Sequence, residues 1–305
     1  MPKSKRLRKD DEQRTTERRN PASRNLDRMP VAKMLRVMNR EDRKVAGRVG
    51  REIPAIAKAV EAIVPRIQNG GRLIYVGAGT SGRLAVLDAA ENPPTFGVSG
   101  SLVRALIAGG TKALTRAVEG AEDSPKNALR DLRKARLTPI DVVVGVAASG
   151  STPYVMAAVR FARKRGSLTI GLASNRDCPL RDAVDVAITP EVGPEVVAGS
   201  TRLKAGTAEK LVLNMLSTAV MVQLGHVYDN LMIDMALTNQ KLKERSTRIL
   251  VEASGRDAEA AQHALRQSGH NLRVALLMLK LRVTASEARK KLAEHRGNLR
   301  AALGE

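Results

Sequence analysis

From Arg72 to Pro190 the chain repeats one pattern: a short unbroken apolar run, a turn rich in glycine or hydroxyl residues, then apolar residues every three to four positions. The runs "RLIYVGA", "SLVRALIAGG", "DVVVGVAASG", "SLTIGLAS" and "VDVAITP" have the length and bounding turns of buried strands. Helical stretches between them include 82–91, 125–136 and 153–165. Apolar strands alternating with amphipathic helices predict an α/β fold, a doubly wound parallel sheet flanked by helices. Ahead of the first strand, helical spacing over 26–67 predicts two helices, the second stopped by Asn69-Gly70-Gly71. Residues 207–224 are apolar nearly all round, which predicts a helix buried in the core or in a subunit contact.

The texture changes after "TNQKLKERSTRIL", where short helical segments are split by "SGRD", "SGHN" and "HRGN". The reading is three parts: a basic mobile tail over 1–24, a sheet domain with its N-terminal helices over 25–246, and a small all-helical unit over 247–305. Two turns in the last part, at 269–272 and 296–299, resemble each other and suggest a repeated helical hairpin, in which His270 is a turn residue.

Composition narrows the function classes. No apolar stretch is long and uncharged enough to span a bilayer, and the start "MPKSKRLRKDDEQ" lacks the apolar segment of a secretory signal, so a cytoplasmic protein is expected. A single cysteine, Cys178, excludes an internal disulfide, and four scattered histidines give no metal-ligand spacing, so no metal is expected. The net charge of +21 would attract any polyanion, but aromatics are 2% of residues and Trp is absent, leaving few platforms for stacking bases. A small phosphorylated substrate is the expected partner, rather than nucleic acid.

Candidate chemistry lies where strands feed helices, since ligands of open parallel sheets sit at the carboxyl ends of the strands. Three such loops are small and polar: "GAGTSG" over 77–82, "ASGSTP" over 148–153, and "GSTRLKAGTA" over 199–208, which adds Arg202 and Lys204. Glycines let a backbone approach an anion, hydroxyls bind it, and helix N-termini present unpaired N–H groups. The first loop also fits G-x-G-x-x-G, yet the next strand ends "IAGG" with no acidic residue to grip a ribose, and no Walker lysine follows. A sugar phosphate therefore fits better than a dinucleotide. Pro93 disfavours helical geometry at Asn92, so the first helix should end at Glu91, beside unpaired carbonyls at the negative end of its dipole. That setting favours a protonated carboxyl, which suits a proton donor or acceptor near neutrality. Glu119 and Glu122 form a second acidic cluster, which on spacing alone reads as a solvated turn before Pro125.

The blocks "GRLIYVGAGTSGRLAVLDAAENPPTFGV", "AVEGAED", "DVVVGVAASGSTPYV" and "GPEVVAGSTRLKAGTAEKLVLNMLSTAVM" strongly resemble the N-acetylmuramic acid 6-phosphate etherases, which carry a sugar isomerase (SIS) domain. The likeness runs from about residue 15 to the last residue. It implies a SIS-type fold and cleavage of the D-lactyl ether at carbon 3 of the amino sugar, giving N-acetylglucosamine 6-phosphate and D-lactate in peptidoglycan recycling, with no cofactor. It further implies that Glu91 is the acid/base glutamate and Glu122 the second catalytic residue. Gly79, Thr80, Ser81, Ser149, Ser151, Thr152, Ser200, Thr201 and Lys204 would hold phosphate and hydroxyls.

The chain departs from the family pattern at Ser151, where a basic residue is common, at Asn92 (cysteine), at Ala90 (serine) and at Asp229 (glycine). A helix from Ser81 to Glu91 would span about 15 Å, farther than one hexose from phosphate to carbon 3. Either that helix is broken, or Glu91 serves a neighbouring subunit's pocket in a homodimer with shared sites. A non-catalytic sugar-phosphate-binding regulator, like the glucokinase regulatory proteins that also resemble these enzymes, is the rival expectation.

Overall fold

In the computed structural model of this protein, which describes residues 15–235, 240–295 and 297–305, the strands follow the apolar runs closely. Three 3-10 turns (Thr15–Glu17, Pro21–Ser23, Leu26–Arg28) precede α1 (Val31–Gly50) and α2 (Ile53–Gln68). There follow β1 (Leu73–Gly77), α3 (Gly79–Phe96), β2 (Val103–Ile107), α4 (Lys112–Thr115), α5 (Pro125–Lys134), β3 (Val142–Val146), α6 (Pro153–Lys164), β4 (Leu168–Leu172), α7 (Pro179–Ala183), β5 (Val186–Ile188) and α8 (Lys204–Gln223). A two-stranded hairpin, β6 (Val227–Tyr228) and β7 (Leu231–Met232), leads to α9 (Gln240–Ser254), α10 (Ala258–Gln267), α11 (Leu272–Leu281), α12 (Ala285–Glu294) and α13 (Leu299–Leu303).

The five-stranded sheet has the order β2-β1-β3-β4-β5 and every pairing is parallel. All residues of β1 and β3 are buried, as expected of central strands with helices on both faces. On one face, Ile74, Val76 and Val143 pack with Leu132 of α5 and with Tyr154, Val155 and Val159 of α6. The chain runs outward from β1 to β2, then returns to place β3 on the other side of β1. The carboxyl ends of β1 and β3 therefore flank the switch point where doubly wound sheets bind their ligands. No helix of the described residues is long and apolar enough to cross a membrane.

Two compact units are present. One comprises the residues up to Ala90 and Ser101–Ser217, and the other comprises Glu91–Gly100 and Thr218–Glu305. The second unit thus begins well before residue 247, because the β6–β7 hairpin shares its core: Tyr228 and Ile233 pack with Leu250, Leu265, Leu276 and Leu277. Asn271 and Asn298 each cap a helix, accepting from Val274 N and Ala301 N. His270 is a turn residue with φ +64°, while Arg296 of the second similar turn lies outside the described residues. Asp229, in the β6–β7 turn, has φ +53°. This left-handed conformation is the one that glycine adopts without strain.

Two expectations need correction. Residues 15–24 are not a mobile tail: Thr16 and Asn20 are buried, with Thr16 N–H donating to Asn175 Oδ1 at 3.3 Å and Asn20 Nδ2 donating to Pro194 O at 2.8 Å. The part of the predicted tail before Thr15 lies outside the described residues. Nor does the first helix end at Glu91. α3 continues through Pro93 and Pro94 to Phe96, although two prolines deprive the Ala89 and Ala90 carbonyls of their usual helical donors. Burial of Asn92 and Phe96 in the last turns accompanies this continuation.

Candidate functional site

The first loop is a backbone-to-backbone contact before it is anything else. A Cβ on Gly77 would lie 2.8 Å from Gly82 N and 2.9 Å from Gly82 Cα, so the strand end and helix start meet where only glycine fits. Gly77→Ala is accordingly expected to destabilise the protein by about 2–3 kcal/mol, measurable by urea titration. Gly82 N–H returns to Ala78 O at 3.1 Å. The N–H groups of Gly79, Thr80 and Ser81 thus form the open start of α3, where an anion is favoured.

The second loop sits at the end of β3, adjacent to β1. Gly150 has φ +69°, and a Cβ there would meet Cys178 Sγ at 2.4 Å. Ser151 N and Oγ both reach Ser149 Oγ at 3.3 Å, and Thr152 is the N-cap of α6 with no side-chain cap bond. Asn175, just beyond β4, pins this loop by donating to Ala148 O at 3.2 Å and to Ser149 O at 3.3 Å. It also donates to Thr16 Oγ1 at 3.1 Å, and Gly199 N–H bonds Thr16 O at 3.2 Å. Residue 16 therefore ties the second loop to the third.

The third loop is placed differently from expectation at its cation. Lys204 is 1% exposed, and its Nζ donates to Glu41 Oε2 at 2.8 Å. It faces the interior and is paired there. The first N–H groups of α8 are taken as well: Glu195 accepts from Lys204 N at 3.0 Å and from Ala205 N at 2.9 Å. Burial pushes the Glu195 carboxyl above the usual carboxylate range, against the lowering effect of those two N–H bonds. What this loop offers is Ser200 and Thr201, both half-buried, while Arg202 is exposed. The helix packs against the first loop, since a Cβ on Gly206 would lie 3.4 Å from Thr80 Cγ2.

Glu122 is exposed in the turn before α5, and its carbonyl accepts Tyr154 N–H at 2.9 Å. That bond fixes Glu122 to the first turn of α6, next to Ser149, Ser151 and Thr152. Glu119 is exposed in the same segment. Glu91 is an exposed residue of α3, ten positions beyond Ser81, and an unbroken helix makes that separation about 15 Å. The first two loops thus follow the adjacent strands β1 and β3, with Glu122 bonded to the start of α6, and Glu91 lies ten positions beyond Ser81 in the sequence of α3.

Sequence reasoning missed Thr16, Asn20, Glu41, Asn175, Glu195 and Glu209. The signal for Asn175 was its place directly after a strand. For Glu209 it was one carboxylate in an otherwise apolar helical stretch; it is 1% exposed and accepts from Ser81 Oγ at 2.9 Å.

A model described as the glucokinase regulatory protein N-terminal SIS domain matches residues 55–163, and one described as the SIS domain matches 121–219. N-acetylmuramic acid 6-phosphate etherase of Pectobacterium atrosepticum is 53% identical over 94% of this chain and 95% of its own length. That of Yersinia pestis is 54% identical over 94% of this chain and 98% of its own. Among solved structures, a phosphoheptose isomerase from Francisella tularensis superposes with a TM-score of 0.48 at 19% identity, covering 65% of this chain and 98% of that one. With relatives above half identity over nearly the whole length of this chain and of their own, the chain belongs to the N-acetylmuramic acid 6-phosphate etherase family.

Proposed function

We propose that this chain cleaves the lactyl ether of N-acetylmuramic acid 6-phosphate with water, giving N-acetylglucosamine 6-phosphate and D-lactate. The observation that carries this reading is the 53% identity over 94% of the chain with a relative named for that reaction. The Gly79–Ser81 helix start, with Ser149, Ser151, Thr152, Ser200 and Thr201, binds the phosphate and the sugar hydroxyls. With the ring open, the aldehyde acidifies the proton on carbon 2. Glu91 removes it, the C2–C3 double bond forms, the C3–O bond breaks, and the departing lactate oxygen takes a proton from the Glu91 carboxyl. Water activated by Glu122 then adds at carbon 3 of the conjugated aldehyde, and carbon 2 regains a proton.

Because α3 is continuous, the subunit-sharing alternative is the one we retain: Glu91 acts in the pocket of a second copy, in a homodimer. Support comes from apolar side chains left exposed on the same helices, Leu87 on α3 and Met215 and Val222 on α8, at 53%, 36% and 43% exposure. The products belong to amino-sugar recycling in the cytoplasm, where the phosphorylated substrate is kept.

The test is incubation with N-acetylmuramic acid 6-phosphate in heavy-oxygen water. Release of D-lactate with label on carbon 3 of the sugar is the expected result. Label retained only in lactate would exclude elimination followed by hydration, and binding without lactate release would point to a regulator.

A further inference from the structure

We propose that Glu209 is a positioning residue for the phosphate: its buried carboxyl, hydrogen-bonded to Ser81, sets the direction of the Ser81 hydroxyl and so how tightly the first loop holds a phosphate dianion. The inference rests on the reading of that loop as the phosphate cradle. Its geometric basis is the packing of α8 beneath α3. Gly206 brings α8 against Thr80, and Glu209, one turn further along the same helix face, meets Ser81 Oγ at 2.9 Å. Ser81 is 8% exposed and Glu209 1%. Glu209 Oε2 has no hydrogen-bond partner among the described residues.

An ionised carboxylate has about four acceptor sites, and one hydroxyl donor in a desolvated setting does not satisfy it. The neutral acid fits the site better. Burial pushes the Glu209 carboxyl up to about 8, opposed by the Ser81 hydrogen bond. Neighbouring titratable groups are engaged elsewhere. On α3 and β1, Asp88 accepts from Tyr75 Oη, and from Asn214 and Ser217 of α8. Arg83 donates to the Ala113 and Arg116 carbonyls. On α8 itself Lys204 pairs with Glu41, Glu195 caps the helix, and Lys210 is exposed.

Two states follow. The neutral acid donates to Ser81 Oγ and leaves the Ser81 hydrogen to turn toward the phosphate. The carboxylate instead holds that hydrogen and places a negative charge behind the loop. Phosphate capture should therefore weaken as Glu209 ionises.

The experiment is calorimetric binding of N-acetylglucosamine 6-phosphate to the full-length protein from pH 7 to 9.5, in two buffers of different ionisation enthalpy. The wild type should lose about tenfold in affinity across that range and take up a proton on binding near pH 8. Glu209→Gln, whose amide donates to Ser81 at every pH, should give a flat profile with no proton uptake, and Ser81→Ala should flatten the profile as well. A flat wild-type profile, or a Glu209→Gln profile that falls like the wild type's, overturns the proposal. If the wild type binds the sugar phosphate at no pH, the cradle reading itself fails and the proposal with it. Should Glu209→Gln not fold, Ser81→Ala and the wild-type proton count still decide.

Discussion

Glu91→Gln is expected to lower kcat for lactate release by about 10³-fold while leaving the melting temperature within a few degrees of the wild type. The loss is large because, in the mechanism proposed above, one carboxyl both removes the carbon-2 proton and protonates the leaving lactate, and the amide can do neither. The fold should tolerate the change because Glu91 is on the exposed side of α3, whereas neighbouring Asp88, Ala89 and Asn92 are buried. Glu122→Gln should act later in the reaction: carbon-2 proton exchange with solvent persists while hydration of the unsaturated aldehyde slows. Sharing of sites between subunits can be read from mixed dimers of Glu91→Gln with a Thr80→Ala/Ser81→Ala chain. In a two-fold dimer with shared sites, random mixing restores about a quarter of wild-type activity, because each heterodimer contains one pocket made from two intact parts. If both parts come from one chain, the mixture recovers nothing.

Much of this arrangement was legible in the sequence because hydrophobic period carries it. The five strands, the two leading helices and the three polar loops all announce themselves as apolar runs and the breaks between them. What escaped has a different physical origin. The end of α3 differs from the expected stop at Glu91 because the preference of a residue before proline is local, while the last turns of that helix bury Asn92 and Phe96. Residues 15–24 carry few apolar groups, which by itself suggests a tail, yet they are held by polar bonds such as Thr16 to Asn175, 159 positions away. No periodicity reveals such a partner. Ser81 was found from its motif, but the carboxyl behind it, 128 positions on, becomes visible only when α8 is packed against α3.

Lys204 gives the sharpest contrast between a residue type and its setting, and Lys204→Met is expected to cost about 3–5 kcal/mol of stability. A lysine in a phosphate-site loop invites the role of anion ligand, but this one is 1% exposed and donates to Glu41 Oε2 at 2.8 Å, with Glu41 only 2% exposed. Removing the ammonium would leave a buried carboxylate with Asn20 Nδ2 at 3.0 Å and the short contact from Lys44 as its remaining donors. Burial alone would raise the Glu41 carboxyl; its bonds to Lys204, Lys44 and Asn20 outweigh that and hold it at about 2, below its ordinary 4.5. A carboxyl lowered on folding contributes stability that is complete above the unfolded value and lost as pH falls through the folded one, here between about 4.5 and 2. Lys204→Met should flatten the acid limb of a stability-against-pH curve in that window, which loss of a lysine with no bond to Glu41 would leave untouched. Glu41→Gln combined with Lys204→Met should recover most of the loss, because an unpaired buried charge, rather than the absence of an ion pair, is what destabilises the single variant. The same pair joins α1 to the start of α8, so the single variant should also loosen the Ser200–Thr201 loop and raise KM for the sugar phosphate. A Lys204→Met protein with wild-type stability but abolished phosphate binding would instead return Lys204 to the role of direct ligand.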